Sequence, residues 1–203
     1  DPGSVPSSWD ETDPTTDAGE TPLPDVNAGI LLDMLPLGDT MYIYKENSVR
    51  KARFIGGRDI FDFGKSAWLE TTGLLAARCV AITGDGTKQV FASQDDILWH
   101  DGNRVRSILD RRRRRELFNL IDTANYANSF MFTNPLFREV WFCFPPSGST
   151  QPTRAFIFNY QNGDDPWPVT DGDGITFRNA AIGPIQGASD ELWSEGSDTW
   201  DED

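Results

Sequence analysis

Residues 79–109 read CVAITGDGTKQVFASQDDILWHDGNRVRSIL, a series of four short apolar runs separated by turn residues. The turns include Asp-Gly steps at 85–86 and 101–102, where glycine supplies the positive φ that a tight hairpin requires. Within the runs, Val, Ile, Phe and Trp are interleaved with polar residues, which suits a half-buried strand better than a helix face. The pattern predicts one antiparallel sheet, the size of a β-propeller blade, with strands at 79–82, 89–92, 97–100 and 104–109.

A single sheet of this kind leaves both faces open, so it should stack against similar sheets. An upstream unit of the same type has predicted strands at 40–44, 48–55 and 59–65. A downstream unit has predicted strands at 129–133, 139–144, 154–160 and near 167–170, and a further sheet can begin at 175–178. The sequence therefore predicts a mainly β fold of antiparallel, propeller-like sheets. Since a closed propeller needs about four to eight blades, other segments or further residues must complete it.

The charge of the chain is concentrated at its two ends. The sequence has 203 residues and a net charge of -14, with no Lys or Arg before Lys45 and none after Arg178. We expect three regions: an extended acidic arm or loop at 1–37, the blades at 38–182, and an acidic C-terminal arm at 183–203. Residues 30–37 form either a helical turn or a strand that docks the first arm.

The C-terminal arm carries two tryptophans among its acidic residues, Trp193 and Trp200. Aromatic side chains spaced along an acidic segment indicate an arm that docks onto another surface. We therefore treat both tryptophans as candidate contacts with a partner or a neighbouring subunit.

One short helix is predicted near 111–121, inserted between two sheets. Asp110 is a suitable N-cap, and Leu117, Leu120 and Ile121 are spaced as on one helix face. The helix begins with five consecutive arginines, Arg111, Arg112, Arg113, Arg114 and Arg115. Contact with a subunit or an adaptor protein is the first interpretation, a solvated helix face the second and DNA the third. Because five successive helical positions point all round, at most two or three can share one partner.

Structural roles are predicted for the cysteines and the single histidine. Cys79 and Cys143 each lie in an apolar run and are expected to be buried free thiols rather than a disulfide. His100, the one histidine, lies at a strand end without the partners of a triad or metal site. Residues 171–174 resemble calcium-loop spacing, and residues 163–165 add carboxylates nearby, but the further oxygen ligands and late Glu of an EF-hand are missing. Both segments are therefore expected to form ordinary turns.

No cofactor, metal or catalytic site is predicted. The sequence contains no P-loop, metal-ligand cluster or nucleophile-base constellation, so an enzyme is the weaker class. The competing interpretation is a carbohydrate-binding or glycan-cleaving propeller, whose two acids the sequence does not identify. No apolar run is long enough to span a bilayer, and no signal peptide is recognised.

Several segments resemble a known protein family. They are GDTMYIYKENSV at 38–49, FIGG at 54–57, DDI at 95–97, HDGN at 100–103, and NP at 134–135 ahead of EVWFC at 139–143. This set is similar to the tail nozzle proteins of short-tailed bacteriophages, also called tail tubular protein B-like or tail-hub proteins. The resemblance covers roughly residues 35–168 and concerns strand and turn residues, whereas family members are several times longer.

The resemblance implies a virion protein of the phage tail that contains a β-propeller and carries no catalytic residues. Such subunits assemble as a homo-oligomeric ring, usually a hexamer, below the portal and adaptor proteins, and tail fibre or spike proteins can contact them. The ring encloses the DNA exit channel, through which DNA passes without sequence specificity, and helps retain and release the genome. An acidic lumen would let DNA slide without sticking.

Overall fold

Three four-stranded antiparallel sheets follow one another along the chain. The computed structural model describes residues 22, 23, 25, 29–56, 60–161, 169–171, 176–178 and 180, with the backbone alone at 169–171. The first sheet contains β1 Leu31–Leu37, β2 Thr40–Lys45, β3 Val49–Phe54 and β4 Phe61–Asp62. The second contains β5 Val80–Ile82, β6 Gln89–Ala92, β7 Ile97–His100 and β8 Val105–Ser107. The third contains β9 Phe130–Asn134, β10 Glu139–Phe144, β11 Arg154–Asn159 and β12 Val169–Asp171.

In each sheet the strands lie side by side in chain order, so each sheet is an up-and-down meander. This confirms the mainly β, antiparallel prediction, and β6 and β7 have the predicted bounds. The first sheet begins at Leu31, inside the segment that was assigned to the N-terminal arm. Of the two alternatives for this segment, a helical turn or a strand, residues 31–37 form the strand. The further sheet predicted at 175–178 is not seen at 176–178, where the Phe177 N–H donates to the Pro152 carbonyl instead.

The Asp-Gly turn between β7 and β8 shows why the sequence folds locally as it does. The Asp101 carboxylate accepts hydrogen bonds from the Asn103 and Arg104 N–H groups at 2.9 and 2.8 Å. Gly102 has φ +91°, and a Cβ at this position would lie 2.8 Å from the Tyr42 hydroxyl oxygen. Glycine is therefore favoured at position 102 for two reasons: its backbone has a positive φ, and the Tyr42 side chain of the first sheet lies close to it.

The first strands of successive sheets are neighbours in space. β5 contacts both β1 and β9. The Arg78 N–H just before β5 donates to the Asp33 carboxylate of β1 at 2.9 Å. The Arg78 carbonyl accepts from the Met131 N–H of β9 at 2.7 Å, and the Thr133 hydroxyl donates to the Ile82 carbonyl. Each sheet is thus joined to the next through its first strand.

A continuous apolar core fills the space between the sheets. Its fully buried side chains come from all three sheets, from the segment before β5 and from the helix, and include Tyr44, Val49, Leu74, Phe91, Ile97, Leu117, Phe142 and Phe144. A smaller cluster around Phe130, Cys143 and Ala155 lies in the third sheet. Cys79 and Cys143 are both buried and free, which confirms the prediction, and burial raises the pKa of each thiol to about 12.

The helix α1, Arg111–Leu120, lies between the second and third sheets and is the single α-helix of the described residues. Its Leu117 is 1% exposed and anchors it in the core, while Ile121 forms a β-bridge to Pro146 after its end. A 3-10 turn at Tyr126–Asn128 follows. No helix in the described part of the chain is long and apolar enough to cross a membrane.

A buried chain of hydrogen bonds links the first sheet to the second. His100, 0% exposed, accepts at Nδ1 from the Gly102 N–H, so its own ring proton is on Nε2. Nε2 lies 2.7 Å from the Tyr44 hydroxyl oxygen, and that hydroxyl donates to the Gln89 Oε1 at 2.7 Å. The Gln89 amide in turn donates to the Leu35 and Pro36 carbonyls of β1. His100 therefore has a structural role, as a member of a buried hydrogen-bond network in the core.

A buried ion cluster attaches residue 25 to the first sheet. The Asp25 carboxylate lies 2.7 Å from Arg50 Nε and 2.9 Å from Lys45 Nζ, and it accepts from the Ser48 hydroxyl. The side chains of Asp25 and Arg50 are 1% and 2% exposed. Burial raises the pKa of Asp25, but the hydrogen bonds from Lys45, Ser48 and Arg50 outweigh it and hold the pKa below its ordinary value. Ion pairs to Lys45 and Arg50 therefore attach Asp25, a residue of the predicted N-terminal arm, to the first sheet.

Candidate functional site

The helix that carries the arginines is fixed at its start by Asp110. This residue has an extended backbone, and its carboxylate accepts from the N–H groups of Arg112 and Arg113 at 2.8 and 2.9 Å, as an N-cap does. These backbone hydrogen bonds, that of Arg113 foremost, hold the pKa of Asp110 below its ordinary value. The carboxylate therefore stays charged while it caps the helix.

Two of the five arginines form ion pairs within the chain. Arg114 lies 2.8 Å from the Asp96 carboxylate beside β7 and 3.1 Å from the Ser107 hydroxyl of β8. Arg113 is 3.6 Å from the Asp110 carboxylate. Burial raises the pKa of Asp96, although the Ser107 hydroxyl and the Arg114 charge act against this. Arg113 and Arg114 are therefore occupied within the chain.

The other three arginines share one side of the helix, here called the arginine face: Arg111, Arg112 and Arg115. All three are exposed, and together they line a shallow concavity of about 440 Å³. Arg115 is three positions after Arg112 and four after Arg111, the spacings that place helical side chains next to each other. Among the described residues, none of the four ion pairs involves them. The sequence allowed two or three arginines for one partner, and the fold places three together.

Helix stability does not explain the arginine face. Like charges three or four positions apart destabilise a helix by roughly 0.2–0.5 kcal/mol per pair. The first turn contains no acidic side chain, and the helix N-terminus itself carries partial positive charge, so cations there are unfavourable. Guanidinium groups bind carboxylates and phosphates through paired hydrogen bonds. The face is therefore suited to an anionic partner, and the order of the three interpretations remains a prediction.

A second exposed surface is apolar and was not predicted. At the end of the β3–β4 hairpin, Phe54, Ile55 and Phe61 are 65%, 54% and 53% exposed, with Ile60 beside them; we call these four residues the apolar tip. The Phe54 and Phe61 rings pack edge to face with centroids 5.9 Å apart. The signal in the sequence was the apolar pair at 54–55 directly before Gly56, where a solvated turn would carry polar residues.

A second concavity, of about 460 Å³, lies beside β3 and is lined by Lys51, Arg53, Asp62 and Trp68, among others. The ammonium group of Lys51 already has partners within the chain. The Lys51 ammonium lies 4.2 Å from the Trp68 ring centroid and donates to the Gly102 carbonyl. Burial lowers the pKa of Lys51, as does the nearby charge of Arg53. Lys51 thus joins the first sheet to the β7–β8 turn.

The other predicted site residues fall outside the described part of the chain. Trp193 and Trp200 do so, and so do residues 172–174 of the calcium-like sequence and the nearby residues 163–165. Within the described residues, no group of three or more His, Cys, Asp or Glu side chains could hold a metal ion.

Comparison with protein-family models gave no match to this chain. Comparison with curated proteins also gave no match. The functional proposal therefore depends on the residues and geometry of the chain itself.

Proposed function

We propose that this chain is a structural subunit of a phage tail, part of a nozzle ring that encloses the DNA exit channel and retains and releases the genome. The observation that carries the proposal is the arrangement of the sheets. Three consecutive four-stranded meanders, whose first strands β1, β5 and β9 contact one another in chain order, are the units from which a propeller would be built, and this supports the proposal. Together with the tail-nozzle resemblance of residues 35–168, this arrangement favours a propeller-like building block.

The number of sheets also supports an assembly. The described residues provide three sheets, fewer than the roughly four to eight blades of a closed propeller. Open sheet edges are normally paired or covered in native proteins. Further chain segments or neighbouring copies would therefore complete the structure, as in a homo-oligomeric ring.

The two exposed surfaces have the chemistry of subunit contacts. The apolar tip presents adjoining aromatic and aliphatic side chains to solvent, as protein–protein interaction sites do. The arginine face offers three guanidinium groups to an acidic surface of a neighbouring subunit or of an adaptor or portal-side protein. With a net charge of -14, the ring would repel DNA more than bind it, which suits a conduit.

The proposal includes no enzymatic step and no cofactor, and it places the chain in the virion tail. A carbohydrate-binding or glycan-cleaving propeller is the alternative. No contact among the described residues favours it over a structural role, and the experiment below separates the two.

The mass and symmetry of the full chain test the proposed function. Native mass spectrometry and electron-microscopic class averages are expected to give a closed ring with cyclic symmetry, six-fold if it follows the family resemblance. Incubation with oligosaccharides is expected to release no reducing sugar. A protein that stays monomeric at all concentrations contradicts the proposal, and a monomer that cleaves glycans supports the alternative.

We expect the double substitution Phe54→Ser/Phe61→Ser to weaken self-association at least tenfold. Burying one Phe side chain in an interface contributes about 1.5–3 kcal/mol, and two rings in contact would be lost together. Sedimentation velocity over a concentration series measures the effect. Because both rings are more than half exposed in the single chain, circular dichroism should be unchanged, and so should the thermal midpoint at concentrations where both proteins are monomeric. Unaltered association would exclude the apolar tip from the interface.

A further inference from the structure

We infer that the arginine face binds the acidic C-terminal segment, residues 189–203, of a second copy of this chain. The inference rests on the proposed function, because its occupant is another subunit of the ring. It goes further by assigning one surface and one segment to each other.

The carboxylates of Asp110 and Asp96 are already used by the fold, and Glu116, four positions after Arg112, takes part in none of the four ion pairs among the described residues. Asp110 caps the helix and pairs with Arg113, and Asp96 pairs with Arg114. Arg111, Arg112 and Arg115 form no ion pair among the described residues, yet all three line one concavity. Three positive charges beside the positive end of a helix repel one another. An acidic ligand would remove that repulsion and satisfy the guanidinium donors.

The segment has the complementary composition. Residues 189–203 contain no Lys or Arg and seven acidic residues, Asp190, Glu191, Glu195, Asp198, Asp201, Glu202 and Asp203. They also contain Trp193 and Trp200. Guanidinium groups pair with carboxylates through two parallel hydrogen bonds and stack on indole faces. The segment thus offers both kinds of group that arginine binds.

A carboxylate partner fits this face better than DNA does. Affinity for duplex DNA depends on the number of phosphates that a protein neutralises. Three arginines provide few such contacts, and a chain with a net charge of -14 repels a polyanion at long range. A short acidic segment needs only the local charge of the arginine face.

A second copy fits better than the same chain. In a closed ring each copy supplies one acidic segment and one arginine face. If each acidic segment binds the arginine face of the neighbouring copy, every segment and every face in the ring has a partner. Binding within one chain would neutralise the same charges without contributing to assembly. The proposed ring therefore favours exchange.

Photo-crosslinking in the full chain tests this assignment. p-Benzoylphenylalanine is placed at position 193, light and 15N-labelled copies are mixed and reassembled, and crosslinked peptides are identified by mass spectrometry. We expect crosslinks from position 193 to residues 111–120, many of them joining a light copy to a heavy one. In Arg111→Gln/Arg112→Gln/Arg115→Gln their yield should fall about tenfold, as expected for three partly exposed ion pairs.

The matched control is Arg53→Gln/Arg104→Gln/Arg106→Gln, which removes the same charge from exposed arginines elsewhere and should leave the crosslinks unchanged. Crosslinks confined to one copy, or equal in both triple variants, overturn the inference. Binding of a 30-base-pair duplex that is lost only in the arginine-face variant, without crosslinks, assigns the face to DNA and also overturns it. A ring without these crosslinks rejects the inference but not the proposed function, whereas a monomeric chain rejects the proposed function itself.

Discussion

Replacing Asp25 with alanine is expected to lower the free energy of unfolding by about 3–5 kcal/mol. The Asp25 carboxylate is 1% exposed and lies 2.7 Å from Arg50 Nε and 2.9 Å from Lys45 Nζ. Removing it leaves two largely buried cations of the first sheet, Lys45 and Arg50, without their shared carboxylate. Arg50 keeps its hydrogen bonds to the Phe63 and Gly64 carbonyls, which limits the loss.

Urea denaturation of the full chain at neutral pH measures this change, with Asp95→Ala as the control because Asp95 is exposed in a turn. The control should change stability by less than about 0.5 kcal/mol. A double-mutant cycle with Arg50→Met gives the coupling directly, since residues in one ionic network are not additive. If Asp25→Ala is as stable as the control, the cluster does not hold the N-terminal segment to the sheet.

The effect of Asp25 could not have been predicted from the sequence. Residue 25 belongs to a polar segment rich in Pro, Asp, Ser and Thr, whose composition favours an extended arm. Its partners lie 20–25 positions away on a hairpin that also had to be placed correctly. Composition describes the average solvation of a segment, whereas one buried ion cluster depends on tertiary geometry.

The strands were more predictable because their limits are set locally. The Asp-Gly steps at 85–86 and 101–102 and the polar turn at 93–96 determine where β6 and β7 begin and end, and short alternating runs form the strands between these turns. β1 was ambiguous for a physical reason. Its sequence, LLDMLPL, contains a proline and does not alternate, and most of its residues are only partly buried. Its assignment depends on pairing with β2, which is a tertiary contact.

The arginine face was predictable in part. The helical period limits how many consecutive arginines can share one side, and this follows from sequence alone. Which arginines remain available depends on Asp96, which pairs with Arg114 18 positions later because β7 and the helix meet in the fold. The apolar tip was overlooked since its residues also suit a buried strand.

The second large effect concerns pH. We expect the free energy of unfolding to fall by about 3 kcal/mol as the pH is lowered from 6.5 to about 4, because His100 is buried in its neutral form. Burial, together with the smaller effect of the Lys51 charge, lowers the pKa of His100 to about 4. Protonation would also place a second N–H at Nδ1, where the Gly102 N–H already donates.

The direction of this pH dependence follows from the number of protons bound by the folded and unfolded chains. Between pH 4 and 6.5 the unfolded chain, with the ordinary pKa of 6.5, binds a proton at His100 that the folded chain does not. Stability is therefore complete above pH 6.5 and decreases as the pH falls toward the folded pKa. Asp25, whose pKa is lowered, loses its contribution only below 3.8, and Asp96, whose pKa is raised, gives an opposite slope just above 3.8.

His100→Gln isolates the contribution of the imidazole from these carboxylates. The variant should be less stable than the wild type at pH 7, because the Tyr44 hydroxyl loses its imidazole partner. Its denaturation free energy should nevertheless depend less on pH between 6.5 and 4, so that the two curves approach each other in acid. Burial raises the pKa of Tyr44 well above its ordinary value, so its hydroxyl stays protonated throughout this range. Parallel curves would mean that His100 titrates normally in the folded chain, and the buried hydrogen-bond chain between the two sheets would then have to be rejected.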